Sequence, residues 1–107
     1  MNSGTSSLTH FPFTDLSGGK PRPALVISRD NSRDVILAFI TSQQHTVTLS
    51  NTLSISPNRT NGLKALSVIR FDKIVTLERT VIVGKLGKID SDVLQKPRSV
   101  FLGVFDF

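Results

Sequence analysis

Along most of this chain, apolar residues come in short runs separated by turn formers, the pattern of strands rather than of amphipathic helices. Residues 24–28 and 35–41 are rich in Val, Ile and Leu and read as buried strands, with the charged stretch 29–33 as the turn between them. Residues 46–56 alternate weakly through Val47, Leu49, Leu53 and Ile55, which predicts two short strands or one bulged strand. Residues 67–75 form a strand with Ile69 and Phe71 on one face and Arg70 and Asp72 on the other, and 80–86 form the next. Two loops stand out. Residues 15–21 (Asp-Leu-Ser-Gly-Gly-Lys-Pro) and 56–63, with Pro57, Asn58, Asn61 and Gly62, collect the strongest turn formers.

The two ends differ from this pattern. Residues 1–9 are polar, either a frayed tail or a poor first strand. In the segment that follows, Phe11 and Phe13 share a side if the backbone is extended, and Pro12 confines it to an edge or a strand end. Only the C-terminus looks helical. Asp90 or Ser91 can cap it, and Val93, Leu94, Val100, Phe101 and Val104 fall on one stripe, which Pro97 kinks or splits. The elements predict a mainly β fold: a small, strongly bent antiparallel barrel with a C-terminal α-helix, formed as one domain over residues 1–107.

Composition narrows the function. Lys and Arg outnumber Asp and Glu by 13 to 8, for a net charge of +5, which favours a polyanionic partner. Cysteine is absent, so disulfides, thiol nucleophiles and Cys-based zinc sites are excluded, and a reducing compartment is expected. No apolar run approaches the roughly 18 residues of a membrane span. The first residues lack the basic-then-apolar order of a signal peptide, so the expected location is cytoplasmic. The two histidines, His10 and His45, have no metal-ligand spacing, and no cofactor is expected.

From Phe11 to Ser28 the sequence Phe-Pro-Phe-Thr-Asp-Leu-Ser-Gly-Gly-Lys-Pro-Arg-Pro-Ala-Leu-Val-Ile-Ser resembles the opening of MazF/PemK-type toxins. Arg22-Pro23 running into an apolar strand is the most characteristic part. Ala38-Phe39-Ile40-Thr41-Ser42-Gln43 resembles the family strand that ends in Ile-Thr. Gly62-Leu63-Lys64 and Ser67-Val68-Ile69-Arg70-Phe71-Asp72-Lys73-Ile74 resemble a later segment. The matches occur in family order on a chain of family size. Two places depart from it: the mostly polar Gly4-Thr5-Ser6-Ser7-Leu8-Thr9-His10, where relatives carry Gly-Asp and an apolar run, and Pro97 in the final helix.

The resemblance implies an SH3-like, CcdB/PemK-like barrel acting as the toxin of a toxin–antitoxin system. It implies a homodimer that cuts single-stranded mRNA at specific sequences without a metal and so inhibits translation and growth. The RNA 2′-hydroxyl attacks phosphorus, leaving a 2′,3′-cyclic phosphate and a 5′-hydroxyl. It also implies a cognate antitoxin that lays an acidic C-terminal segment across the RNA groove.

The chemistry needs an in-line nucleophile, charge stabilisation on the phosphoryl oxygens and a proton for the leaving oxygen. Arg22 opens a strand after a flexible loop, and its planar fork matches two phosphoryl oxygens; it is the expected clamp, against the plainer reading of a surface arginine at a strand start. Thr41 ends a strand and would otherwise be an ordinary terminator; by resemblance it donates to a phosphoryl oxygen and positions the 2′-hydroxyl. Phe13, Ser17 and Lys20, in and beside the glycine loop, and Ser42 and Gln43, on the rim after Thr41, are the expected RNA contacts. The phenylalanines equally suit a core, and His10 and His45 equally suit incidental polar positions, so the general base stays open. Two rivals remain: a CcdB-type gyrase poison of the same fold, and a non-catalytic barrel that binds RNA or a peptide.

Overall fold

The structure, a computed structural model, describes residues 3–9, 20–28, 33–43, 52–90 and 93. They form one six-stranded sheet in the order β4-β5-β3-β2-β1-β6, with every neighbouring pair antiparallel. The strands are β1 (Thr5–Thr9), β2 (Arg22–Val26), β3 (Asp34–Thr41), β4 (Thr52–Ile55), β5 (Ser67–Glu78) and β6 (Ile82–Lys88).

The unbroken apolar character of the end of β2 and the middle of β3, Leu37 to Ile40, follows from burial on both sheet faces, while Ile36 earlier in β3 is exposed. Leu25, Ala38 and Ile40 pack with Ile55, Leu63, Ile69, Phe71 and Ile89 in one cluster. Their neighbours Ala24, Val26, Val35 and Leu37 form a second cluster on the other face, against Phe39, Val75, Leu77, Val81 and Ile82.

Within the polar residues 1–9, Thr5–Thr9 form a strand and not a frayed tail. β1 lies inside the sheet, paired to β2 through Ser6–Leu25 to Thr9–Arg22 and to β6 on its other side. Thr5, Ser6, Ser7 and Thr9 are all buried despite their polarity. The hydroxyls of Ser6, Ser7 and Thr9 are satisfied: Ser6 Oγ donates to the Asn61 carbonyl at 2.7 Å, Ser7 Oγ to the Ala24 carbonyl at 3.1 Å, and the Ser7 and Thr9 hydroxyls meet at 2.9 Å. Hydrogen bonding thus makes a polar segment tolerable in a central strand. Each serine still forgoes the roughly 1.5–3 kcal/mol that a buried valine or isoleucine contributes.

The two ends of the sheet are tied together by the loop between β4 and β5. Lys88 N–H donates to the Thr60 carbonyl at 2.7 Å. Gly62 adopts φ +66° with its α-carbon against the Leu86 backbone, and a Cβ at Gly87 would meet the Thr60 carbonyl at 2.0 Å. Neither contact tolerates a side chain, so the glycines permit the approach that curls the sheet toward a barrel. Asn61, 1% exposed, holds this loop: its Oδ1 accepts from the N–H groups of Asn58 and Leu63, and its Nδ2 donates to the Ser56 carbonyl.

Two expectations need adjusting. The strand expected at 80–86 begins later, because Arg79–Val81 form a 3-10 turn whose first N–H is taken by the Arg33 carbonyl at 2.9 Å. β5 runs on to Glu78 because β3 pairs with it as far as Asp34. Of residues 46–56 only β4 and its flanks are described, as 44–51 lie outside the described residues, as do Phe11, Phe13 and residues 15–19. Of the expected C-terminal helix only Val93 is described, packed partly buried against the first cluster.

Candidate active site

The site follows from where the β2–β3 ladder stops. β2 and β3 pair from Val26–Leu37 to Ala24–Phe39, and no pair follows. The next residue of β2 is Pro23, which brings no backbone donor. β2 is still held to β1 by the Leu8–Pro23 and Thr9–Arg22 pairs, and β3 is still held to β5 by Thr41–Val68. The strand ends therefore part over a firm base. Continued by two residues, the β2–β3 register sets Arg22 toward Thr41.

A groove of about 560 Å³ opens there and receives both residues. Leu8, Pro23, Ile40, Leu63 and Leu86 give it an apolar floor, while Arg22, Lys64, Arg70 and Lys73 supply cations. Among the described lining residues none is acidic. Such a groove suits an anion on a partly apolar scaffold, as a nucleic-acid strand is.

Thr41 is half-buried, and its Oγ1 accepts the Gln43 N–H at 3.2 Å. That contact uses a lone pair and fixes the hydroxyl oxygen, leaving the O–H proton to donate into the groove. Ser42 and Gln43 are exposed and line the same groove. Lys20 is exposed at its approach, next to the lining residue Pro21, but is not itself among the lining residues. Phe13, Ser17, His10 and His45 lie outside the described residues. The structure thus brings together Arg22, Thr41, Ser42 and Gln43 and leaves Lys20 at the rim.

Sequence reasoning passed over three groove cations. Lys64 follows the buried Leu63 on the loop that closes the barrel. Arg70 and Lys73 flank an irregularity in β5: Ala38 pairs with Ile74 but Phe39 pairs with Arg70, so residues 71–73 have no partner on β3 and the strand bends. At this bend Arg70 donates through Nε to Asp72 Oδ1 at 3.0 Å and through Nη2 to Oδ2. The guanidinium holds the Asp72 carboxyl below its ordinary range, and the carboxylate raises Arg70 further. The available signal was the pair of opposite charges two apart on the polar face of a strand.

Among the described residues no three His, Cys, Asp or Glu side chains gather where they would hold a metal ion, and no helix is long and apolar enough to cross a membrane.

A small curled antiparallel sheet with a basic groove at one end defines a class that comparison with known proteins makes specific. The profile of the PemK-like, MazF-like toxins of type II toxin–antitoxin systems matches residues 8–103. The chain belongs to this family. It is 30% identical over 93 residues to a probable endoribonuclease MazF from Mycolicibacterium smegmatis, covering 80% of this chain and 84% of that protein. The fold is that of the Mycobacterium tuberculosis toxin MazF-mt6, with a TM-score of 0.78, 19% identity and coverage of 96% of this chain and 97% of that one. It also matches a mycobacterial endoribonuclease solved in complex with its cognate antitoxin, with a TM-score of 0.75, 16% identity and coverage of 97% and 93%.

Proposed function

We propose that this toxin is a metal-independent endoribonuclease that cuts single-stranded mRNA at specific sequences and leaves 2′,3′-cyclic phosphate and 5′-hydroxyl ends. The observation that carries this reading is the convergence of Arg22 and Thr41 at the end of the β2–β3 ladder, in one cationic groove. In this reading the Arg22 guanidinium donates to two non-bridging oxygens and stabilises the charge that grows on them as the 2′-oxygen attacks. The Thr41 hydroxyl, its oxygen held by the Gln43 N–H, donates to a phosphoryl oxygen and sets the phosphorus in line. Lys20, Ser42 and Gln43 contact the strand at the rim, with Ser17 of the glycine loop and Phe13 beside that loop as further contacts.

The functional unit is a homodimer of single-domain chains, acting in the cytoplasm. Its control is a cognate antitoxin whose acidic C-terminal segment occupies the same cationic groove; relatives of this fold include an endoribonuclease solved with its antitoxin.

The test is incubation of a defined single-stranded RNA with the protein in excess EDTA, followed by analysis of the product ends. The reading expects cleavage to persist and the ends to be 2′,3′-cyclic phosphate and 5′-hydroxyl. Loss of cleavage in EDTA, or 5′-phosphate ends, overturns the chemistry. RNA binding without cleavage, or gyrase inhibition without it, would favour a non-catalytic barrel of the same fold.

A further inference from the structure

The Arg70–Asp72 pair has no part in the phosphate chemistry above, yet it stands in the same groove. Arg70 pairs across the sheet with Phe39, which pairs in turn with Ala24. Opposed residues share a face, and so do residues two apart on a strand, so Arg70, Phe39, Thr41 and Arg22 project from one face. Arg70 and Phe39 both line the groove, and the Arg70 side chain is only 15% exposed.

We infer that Arg70 reads an RNA base beside the scissile phosphate, and that Asp72 is its positioning residue. The base is one that offers two adjacent acceptors on one edge: guanine through O6 and N7, or an unpaired cytosine through N3 and O2. The inference rests on the ribonuclease reading and adds a specificity determinant to it.

Three observations carry it. First, the carboxylate takes the Nε and Nη2 donors, one edge of the guanidinium. The other edge keeps a parallel pair of N–H donors, one on Nη1 and one on Nη2, in a plane that Asp72 has already fixed. Second, Asp72 compensates the charge of Arg70. A compensated guanidinium draws phosphate less strongly and suits a neutral acceptor pair, the commonest specific use of arginine on bases. Third, Phe39 sets an aromatic ring beside it, and unpaired bases are held by stacking together with edge hydrogen bonds. Adenine and uracil alternate donors and acceptors on their edges and would leave one N–H of the fork unmet.

The experiment presents a randomised single-stranded RNA pool to the parent protein and to Arg70→Leu, Arg70→Lys, Asp72→Asn and Asp72→Glu. Sequencing reads both the cleaved and the bound molecules. The parent is expected to require guanine or cytosine at one position. Replacement there by 7-deazaguanine or 3-deazacytosine, whichever matches, should weaken cleavage about 10- to 100-fold. Arg70→Leu should lose that preference, and Arg70→Lys should lose it too, because an ammonium has no fork. Asp72→Asn should relax the same position alone, and Asp72→Glu should restore part of the preference; a merely structural Asp72 would slow all sequences alike. Equal slowing of every sequence by both Arg70 variants with a shallower salt dependence would mark a phosphate contact and overturn the inference. An unchanged base preference in the folded variants would overturn it as well. A parent that binds with a base preference but does not cut would sink the ribonuclease reading and leave this one to be judged on the bound pool.

Discussion

Asn61→Ala should destabilise the protein severely, because one buried side chain organises the loop that closes the barrel. The substitution removes three hydrogen bonds: those accepted by Oδ1 from the Asn58 N–H at 3.1 Å and the Leu63 N–H at 3.0 Å, and the one donated by Nδ2 to the Ser56 carbonyl at 2.9 Å. At a net contribution of about 1 kcal/mol each, and more where the partner cannot reach water, the loss is about 3–4 kcal/mol. Domains of this size have only about 5–15 kcal/mol in all. With about 4–8 °C per kcal/mol, the melting temperature should fall by about 12–32 °C. Asn61→Asp keeps the acceptor but loses the donor and brings a carboxylate to the Ser56 carbonyl, so it should not restore the parent's stability. The assay is a thermal melt followed by circular dichroism. RNA affinity, measured at a temperature where the variant is still folded, should also fall, because Gly62, Leu63 and Lys64 of the groove follow directly in the chain. A melting temperature within about 3 °C of the parent's would refute the argument that this loop ties the sheet ends together.

RNA affinity should fall with salt at a slope near −2 to −3 in the logarithm of the association constant against log salt concentration, from three or four phosphate contacts by Arg22, Lys64, Lys73 and Lys20 at about −0.7 each. A flat response would remove these cations as the source of affinity. The ion pair at the β5 bend gives a pH dependence of stability. Because Arg70 lowers the Asp72 carboxyl from its ordinary 3.8, the stabilisation is fully present above that value and is lost as the pH falls through the lower folded one. The melting-temperature gap between parent and Asp72→Asn should therefore be constant above about pH 5 and close in stronger acid; a gap that widened on acidification would contradict the pairing.

Where local pattern and burial agreed, the sequence sufficed. The runs at 24–28 and 35–41 predicted β2 and β3 because Ala24–Val26 and Leu37–Ile40 are covered on two faces and so read as unbroken apolar segments. The positions of Arg22 and Thr41 at the ends of such runs were legible, but the roles proposed for them come from the resemblance to the toxin family, because pattern alone equally suits a surface arginine and a strand terminator. β1 was not legible, since its burial is paid for by hydroxyl hydrogen bonds to Asn61 and Ala24, partners distant in sequence that no periodicity reveals. The late start of β6 was hidden for a similar reason, because the Arg33 carbonyl that takes the Arg79 N–H lies across the sheet. Arg70 and Asp72 were placed on the right face, but their fork in the groove depends on the bend between Arg70 and Ile74, a feature of register and not of composition.

The central claim is that Arg22 acts on the phosphate, and the most direct measurement is the single-turnover cleavage rate of one defined RNA by the parent and by folded Arg22→Ala, Arg22→Lys, Thr41→Ala and Thr41→Ser. The account predicts a loss on the order of 10²–10³-fold for Arg22→Ala, as for removal of one preorganised donor. Arg22→Lys should recover little, since an ammonium cannot hold two oxygens in one plane. Thr41→Ala should slow cleavage with RNA affinity nearly intact, and Thr41→Ser should retain more activity because the donor survives. Parental rates in Arg22→Ala and Thr41→Ala proteins that melt with the parent would contradict it.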